Sequence, residues 1–321
     1  MGKKQKTYHR DWSAYNASQV EELNFVVSLI RSLVDGLDIK EFQARVGRPE
    51  AETRDILKCC LLQQYMGLSD RRLEAWLWLL KSALGLENVP SFSTICKHAN
   101  DPDLKDYYEQ LLEKTNEPTQ ELEHSFSTDA SGFGTKNTVP WTTVKNSKGT
   151  RKDYVKGHLT VGRTFKLVSA ITVTKGRAGD SPQLPEHVSK TRKIFNEIYY
   201  WCLDSAYLAR KNCTLLWNNH IMPFIRPKSN STINKKGSMA WRWMMELWRD
   251  AKDLFKRFYH GRSISETANS TMKRLMNPTL RKKNFIGQIN ELLAKTVVYN
   301  LICLARAVFT AKIDIKPLFS E

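Results

Sequence analysis

The pattern of apolar residues changes character near residue 124, and that change constrains the fold more than any other feature of the chain. Before it, apolar side chains recur at helical spacing. Val20, Leu23, Val26, Val27, Ile30 and Leu33 do so within 17–35, and AETRDILKCCLLQQYM does so over 51–66. Pro49 precedes the second run as a start signal, and Gly67 breaks it. Ser69 reads as the N-cap of RRLEAWLWLLKSALG (71–85), and Ser91 or Ser93 as the start of a further short helix. Residues 17–118 therefore read as an all-helical module in which two helices meet at a short glycine turn, as in a helix-turn-helix.

After residue 124 the period changes. HSFSTDASGFG (124–134), DYVKGHLTVG (153–162) and FKLVSAITVTKG (165–176) have strand composition, and Arg163-Thr164 between the last two is a hairpin signal. A helix over 181–197, the strand IYYWCLD (198–204), a helix over 208–219 and the strand-like IMPFIRP (221–227) follow. The pattern is helical again from Met239 to about Met276 and from Phe285 to about Thr310. Three strands in a meander followed by alternating helices and strands describe a mixed α/β sheet. The expected divisions are an arm (1–16), a helical domain (17–120), an α/β domain with a long C-terminal helix (121–310) and a tail (311–321).

Charge follows the same divide. The chain carries 50 Lys and Arg against 33 Asp and Glu, a formal +17. Residues 1–128 hold 16 basic and 20 acidic residues, whereas 129–321 hold 34 and 13. A domain so basic repels itself unless it meets a polyanion. Its cations are interleaved with aromatics, as in WRWMMELWRDAKDLFKRFYHGR (241–262), which favours nucleic acid as the partner. An anionic membrane fits less well, because no lipidation motif or isolated basic anchor is present. No window approaches 18 consecutive apolar residues, so no membrane span is expected. The start, MGKKQKTYHRDWSAYN, has no apolar core behind its basic residues, and a cytoplasmic location is expected. The six cysteines lack CxxC spacing and read as reduced, mostly buried thiols.

With 13 acids in 193 residues, each is informative. Asp129 is read as ending the first strand and Asp204 the fourth, while Glu266 sits in a helix. If those strands are neighbours, two carboxylates converge at their carboxyl ends, where sites form in such sheets. A third carboxylate from a helix crossing above completes an oxygen-only cage suited to Mg²⁺. Two such ions about 4 Å apart can activate an attacking oxygen and stabilise a leaving one. Each acid also has a plain structural reading: Asp129 could start a turn and Asp204 could cap a helix. Segment 259–273 reads Tyr259-x2-Arg262-x3-Glu266-x6-Lys273, which on one helix places all four on a shared face. A surface ion-pair ladder would be worth only about 0.3–0.5 kcal/mol and leaves the other two acids unexplained.

That spacing matches the Y-(2)-R-(3)-E-(6)-K signature, and the chain resembles the DDE transposases of the IS4 and IS5 type, IS1182-like relatives included. TDASGF (128–133) is similar to the segment with the family's first catalytic Asp, and LDSAYLARKN (203–212) to the segment around its second. KGHLTVGRTFKLVSAITVTKGRAGDSPQL (156–184) resembles the hairpin leading to an H-D-S-like turn, here Gly179-Asp180-Ser181 without the histidine. GRPEAETRDILKCCLLQQYMGLSDRRLEAWL (47–77) and VPSFSTICK (89–97) resemble the N-terminal helical domain. The resemblance implies an RNase H-like core and a metal-binding catalytic triad of Asp129, Asp204 and Glu266. It implies two Mg²⁺ ions, with Mn²⁺ as substitute. It further implies binding of double-stranded DNA at inverted-repeat ends, strand cleavage and strand transfer, by a homodimer on paired ends in a prokaryotic nucleoid. The helical domain would serve end recognition or dimerisation. Tyr259, Arg262 and Lys273 carry over as residues holding the cleaved strand, and Trp241, Trp243 and Trp248 are candidates to stack a flipped base. Fewer than 65 residues separate Asp204 from Glu266, so no large β-domain is inserted there. Alternatives are a structure-specific nuclease on the same fold and a non-catalytic DNA-binding descendant.

Overall fold

The computed structural model describes residues 11–39, 51–135, 154–234 and 236–319; Pro49 lies outside them. The first helical run is two helices, α1 (Trp12–Val20) and α2 (Glu22–Asp35). α3 (Thr53–Met66) ends at Gly67, whose φ of 63° suits a residue without a Cβ. α4 (Asp70–Leu84) begins just after Ser69, which occupies the N-cap position without a side-chain capping bond. Ser91 does cap α5 (Phe92–His98), accepting from the Thr94 amide at 3.3 Å. α6 (Leu104–Asn116) completes this part.

Strands β1 (Ser125–Gly134), β2 (Tyr154–Gly162) and β3 (Val168–Lys175) form the antiparallel meander. Then come α7 (Leu184–Ile194), β4 (Tyr200–Leu203), α8 (Arg210–Asn218) and β5 (Met222–Ile225). The sheet order is β3-β2-β1-β4-β5, with β4 parallel to β1 and β5 parallel to β4. The first and fourth strands are thus neighbours.

Two expectations need correction. Asp129 does not end β1. The strand stays paired with β2 through Gly134, and only its pairing with β4 stops at Thr128. Nor does one helix carry Tyr259 through Lys273, because the helical stretch 239–276 is broken twice. That stretch is α9 (Met239–Asp250), α10 (Lys252–Tyr259) and α11 (Ser263–Met276). Ala251, at φ −136° and ψ 52°, leaves the helical region, so α9 and α10 can both turn aromatic faces onto Phe224. His260–Arg262 form a tight 3-10 turn in which Gly261 lies flush against the Arg163 guanidinium, where any Cβ would collide.

α12 (Phe285–Ala311) is long and apolar enough to cross a membrane, although polar residues interrupt its apolar run in sequence. Most of its apolar window, 78%, is buried inside the protein. It is a core helix, packed on α1, α2, α3, α6 and β3. One hydrophobic core joins α2–α6 and α12 to a face of β1–β3. A second surrounds β4 and β5 with residues of α7–α10. Cys59, Cys60, Cys202 and Cys213 are buried free thiols, while Cys96 is exposed.

Candidate active site

Strand register places the first two acids. Ser127 aligns with Cys202 and Thr128 with Leu203 in the parallel β1–β4 pair. The next residues are Asp129 and Asp204, on strands about 4.8 Å apart. Side-chain alternation puts Asp129, Ser131 and Phe133 on one face of β1 and Thr128 on the other. Below, a buried chain of polar contacts ties several elements together. Trp201 Nε1 donates to Thr128 Oγ1 (2.8 Å), which meets Thr160 Oγ1 (2.7 Å); that hydroxyl meets His187 Nδ1 (2.7 Å), and His187 Nε2 meets Thr172 Oγ1 (3.0 Å). Burial pushes His187 down to about 3, so this network is neutral and rigid.

Above the Asp129 face lies α11. Its Lys273 Nζ donates to Ser131 Oγ and sits 4.8 Å from the Phe133 ring centre. Glu266, in its first turn, pairs with Arg262 Nη2 at 2.7 Å and is half exposed. The Arg262 guanidinium lies 5.9 Å from the Tyr259 ring, which stacks on Phe255. So the helix break does not scatter the four signature residues; they follow the end of α10, the 3-10 turn and α11 along one side of the sheet.

The charges meet at Asp129. Burial, then Asp204 and Glu266, push its carboxyl up to about 6 against the opposing Ala130 amide and Arg262. Burial brings Lys273 down to about 8, with Asp129 resisting. Burial also raises Tyr259, with Asp204 adding and Arg262 and Arg226 opposing. Asp204 is a cap as well: one carboxylate oxygen accepts from the Ala206 amide at 2.8 Å and starts the 3-10 turn Ser205–Tyr207. The cap fixes the rotamer of the acid rather than competing with a second role.

Among the described residues, no three His, Cys, Asp or Glu side chains are closed around a single ion position. The donors nevertheless suit a hard cation. They are all oxygen, and the acidic crowding at Asp129 is what a divalent charge relieves.

Several neighbours carried no assigned role in the sequence. Asp180, in the turn lacking its histidine, pairs with Lys156, and His158 Nδ1 of β2 stands 3.5 Å from it. Tyr207 is buried, and its hydroxyl is raised by burial, then by Asp180, Asp129 and Asp204. Arg226 follows β5 directly, at the same end of the sheet. Asp180 and Tyr207 lie in segments the sequence already matched to the family, whereas His158 and Arg226 are brought to the site only by the fold, because β2 and β5 are remote in sequence. The three tryptophans are in the second core. Trp241 is buried, with Nε1 donating to the Thr232 carbonyl, so it cannot stack a base; Trp243 and Trp248 pack edgewise on Phe224 and Phe255.

Lys273 gives a prediction for the DNA-free protein. Its folded value near 8 lies below the unfolded value near 10.4, so at pH 7 its charge opposes folding. Lys273→Met should raise stability at pH 7 by about 1–2 kcal/mol. The advantage should shrink between about pH 8 and 10.5, as the lysine becomes neutral first in the folded protein and then in the unfolded chain. Urea denaturation at both ends of that window checks it; an equal gain at both would contradict the burial of the charge.

A five-stranded mixed sheet in this order, with acids at adjacent strands and a helix-borne acid across them, is an RNase H-like core. The family described as Transposase DDE domain matches residues 125–301, and Transposase domain (DUF772) matches 16–101. The chain belongs to the DDE transposases of the insertion-sequence type. None of the curated proteins matches it. Membership brings DNA as the substrate class and divalent metal as the general requirement of the chemistry.

Proposed function

We propose that this transposase binds the terminal inverted repeats of its element, cleaves a strand at each end and transfers it to target DNA. The observation that carries the reading is the register that sets Asp129 and Asp204 side by side, just past the Thr128–Leu203 pair, beneath Arg262 of the 3-10 turn and Glu266 and Lys273 of α11. We assign Asp129, Asp204 and Glu266 as the catalytic, metal-holding acids. Held there, two Mg²⁺ ions (or Mn²⁺) would activate the attacking oxygen and offset charge on the leaving one.

The protein's own groups do the rest. Arg262 and Lys273 grip non-bridging oxygens of the scissile phosphate and counter the charge that develops during in-line transfer. Tyr259, kept protonated by burial, can donate to the same strand. In the DNA-free chain Arg262 and Glu266 neutralise each other. A phosphate that takes Arg262 releases the Glu266 carboxylate toward Asp129, so the third acid becomes available when substrate is bound. Residues 17–120 are assigned to end recognition or dimerisation, 121–310 to catalysis, and paired ends would be held by a homodimer in the cytoplasm.

The test is a plasmid donor carrying the DNA that flanks the gene, incubated with Mg²⁺ or Mn²⁺. Wild type should cut at the flanking repeats, and Glu266→Gln should lose cutting yet keep end binding. Metal-dependent nicking at unrelated positions would point to a general nuclease. Tight binding with no cutting by wild type would point to a DNA-binding descendant.

A further inference from the structure

A polar pocket lies at the other end of the strands that carry the acids. It has a volume of about 420 Å³ and lies beside the start of β1 (Ser125) and of β4 (Tyr200). Arg163, Arg257 and His260 line it, and no carboxylate does. Arg163 is partly buried. Its guanidinium lies 4.9 Å from the Tyr200 ring centre, donates to the Tyr200 hydroxyl, and rests on Gly261. Its Nε is buried without a hydrogen-bond partner. Glu123, the acid of that neighbourhood, is committed elsewhere: it accepts from the Thr164 and Phe165 amides and the Thr164 hydroxyl. A preformed, half-desolvated guanidinium, joined by two more basic side chains and no acid in the lining, suits an anion.

We propose that this pocket holds a backbone phosphate of bound DNA, several nucleotides from the scissile one. The inference rests on the DNA-processing reading above. Ser125 and Asp129 are four residues apart on β1, which sets the two sites about 13 Å from each other. That is about four steps of duplex rise at 3.4 Å each. The 3-10 turn links them, because Gly261 contacts Arg163 on one side and Arg262 faces Asp129 on the other. Arg163 is therefore a positioning residue: it registers the strand so that the scissile phosphate arrives over the acids.

The test measures duplex binding by fluorescence anisotropy over a range of KCl concentrations, for wild type, Arg257→Gln and Arg163→Gln. Each variant should weaken binding alike on all sequences and reduce the salt slope by about one. A neutral methylphosphonate is then walked along one strand. Wild type should be weakened at a position about four steps from the cut, and the variants should be indifferent there while remaining sensitive elsewhere. Arg257 is exposed, so Arg257→Gln keeps the test valid if Arg163→Gln fails to fold. Unchanged slopes, or identical methylphosphonate profiles in wild type and Arg257→Gln, would overturn the pocket and leave the transposase reading standing. Wild type without affinity for DNA would overturn both.

Discussion

Asp129→Asn should make the metal-free protein more stable while removing about a thousandfold or more of its strand cleavage. Both effects have one cause. The carboxyl is pushed up to about 6 by burial and by Asp204 and Glu266, from an unfolded value near 3.9. A raised acid binds its proton more tightly in the folded state, so stability falls as pH rises from about 4 through 6 and stays reduced above. A rise from about 4 to about 6 corresponds to about 3 kcal/mol, and the partial solvent access of the site brings this to about 2 kcal/mol. The amide carries no charge, so the variant's advantage should be full at about pH 7.5 and absent below about pH 4. The same crowding favours a divalent cation. Mg²⁺ should therefore raise the melting temperature of wild type and leave Asp129→Asn nearly unmoved, a readout independent of cleavage. Loss of several kcal/mol of charge stabilisation gives the thousandfold rate effect. Thermal scans at about pH 4 and 7.5, with and without Mg²⁺, check the first part, and the plasmid assay checks the second. A variant that is less stable at the higher pH would remove the electrostatic argument for the site.

The parts of this arrangement that sequence disclosed are those set by local chemistry. Helix period, the Gly67 break, the Ser91 cap and the strand runs are one-dimensional signals, and the order of elements in the sheet region follows from them. Asp129, Asp204 and Glu266 stood out because acids are scarce in a basic segment. Their convergence depended on a condition, that β1 and β4 be neighbours, which pattern alone leaves open and the parallel register Thr128–Leu203 satisfies. The breaks at Ala251 and His260–Arg262 were not legible. Their causes are tertiary: aromatic packing on Phe224, and the approach of Arg163 from the β2–β3 turn to Gly261. Periodicity sees neither. The His187 network was hidden for the same reason, since its partners come from β1, β2, β3, β4 and α7 and only burial makes them a set. The buried polar residues of α12 belong here too. They interrupt its apolar run in sequence, and their purpose appears only when the loop they hold is seen.

That loop gives the largest expected stability effect. Lys295 and Glu291 lie one turn apart on α12, both side chains 2% exposed, with Nζ 3.1 Å from Oε1 as an ion pair rather than an aligned hydrogen bond. Lys295 also donates to the carbonyls of Asn277 and Thr279, and Glu291 Oε2 accepts from the amides of Arg281 and Lys282. The pair thus pins 277–282, the segment leaving α11, and that segment in turn bonds Gly134 at the end of β1 through Pro278 and Leu280. It fixes the distance between Lys273 and the Asp129 strand from behind. Lys295→Met should cost about 3–5 kcal/mol, because a carboxylate is left buried without its cation. Adding Glu291→Gln should recover much of that loss, since the amide oxygen still accepts the two backbone N–H groups and no charge remains. Burial, with Arg281 adding, works to lower the Lys295 ammonium against Glu291, so the native pair has little surplus to lose when both charges go. Denaturation of the two singles and the double gives the coupling directly. A double variant as unstable as Lys295→Met would mean that packing of the lysine stem, not the uncompensated charge, sets the cost.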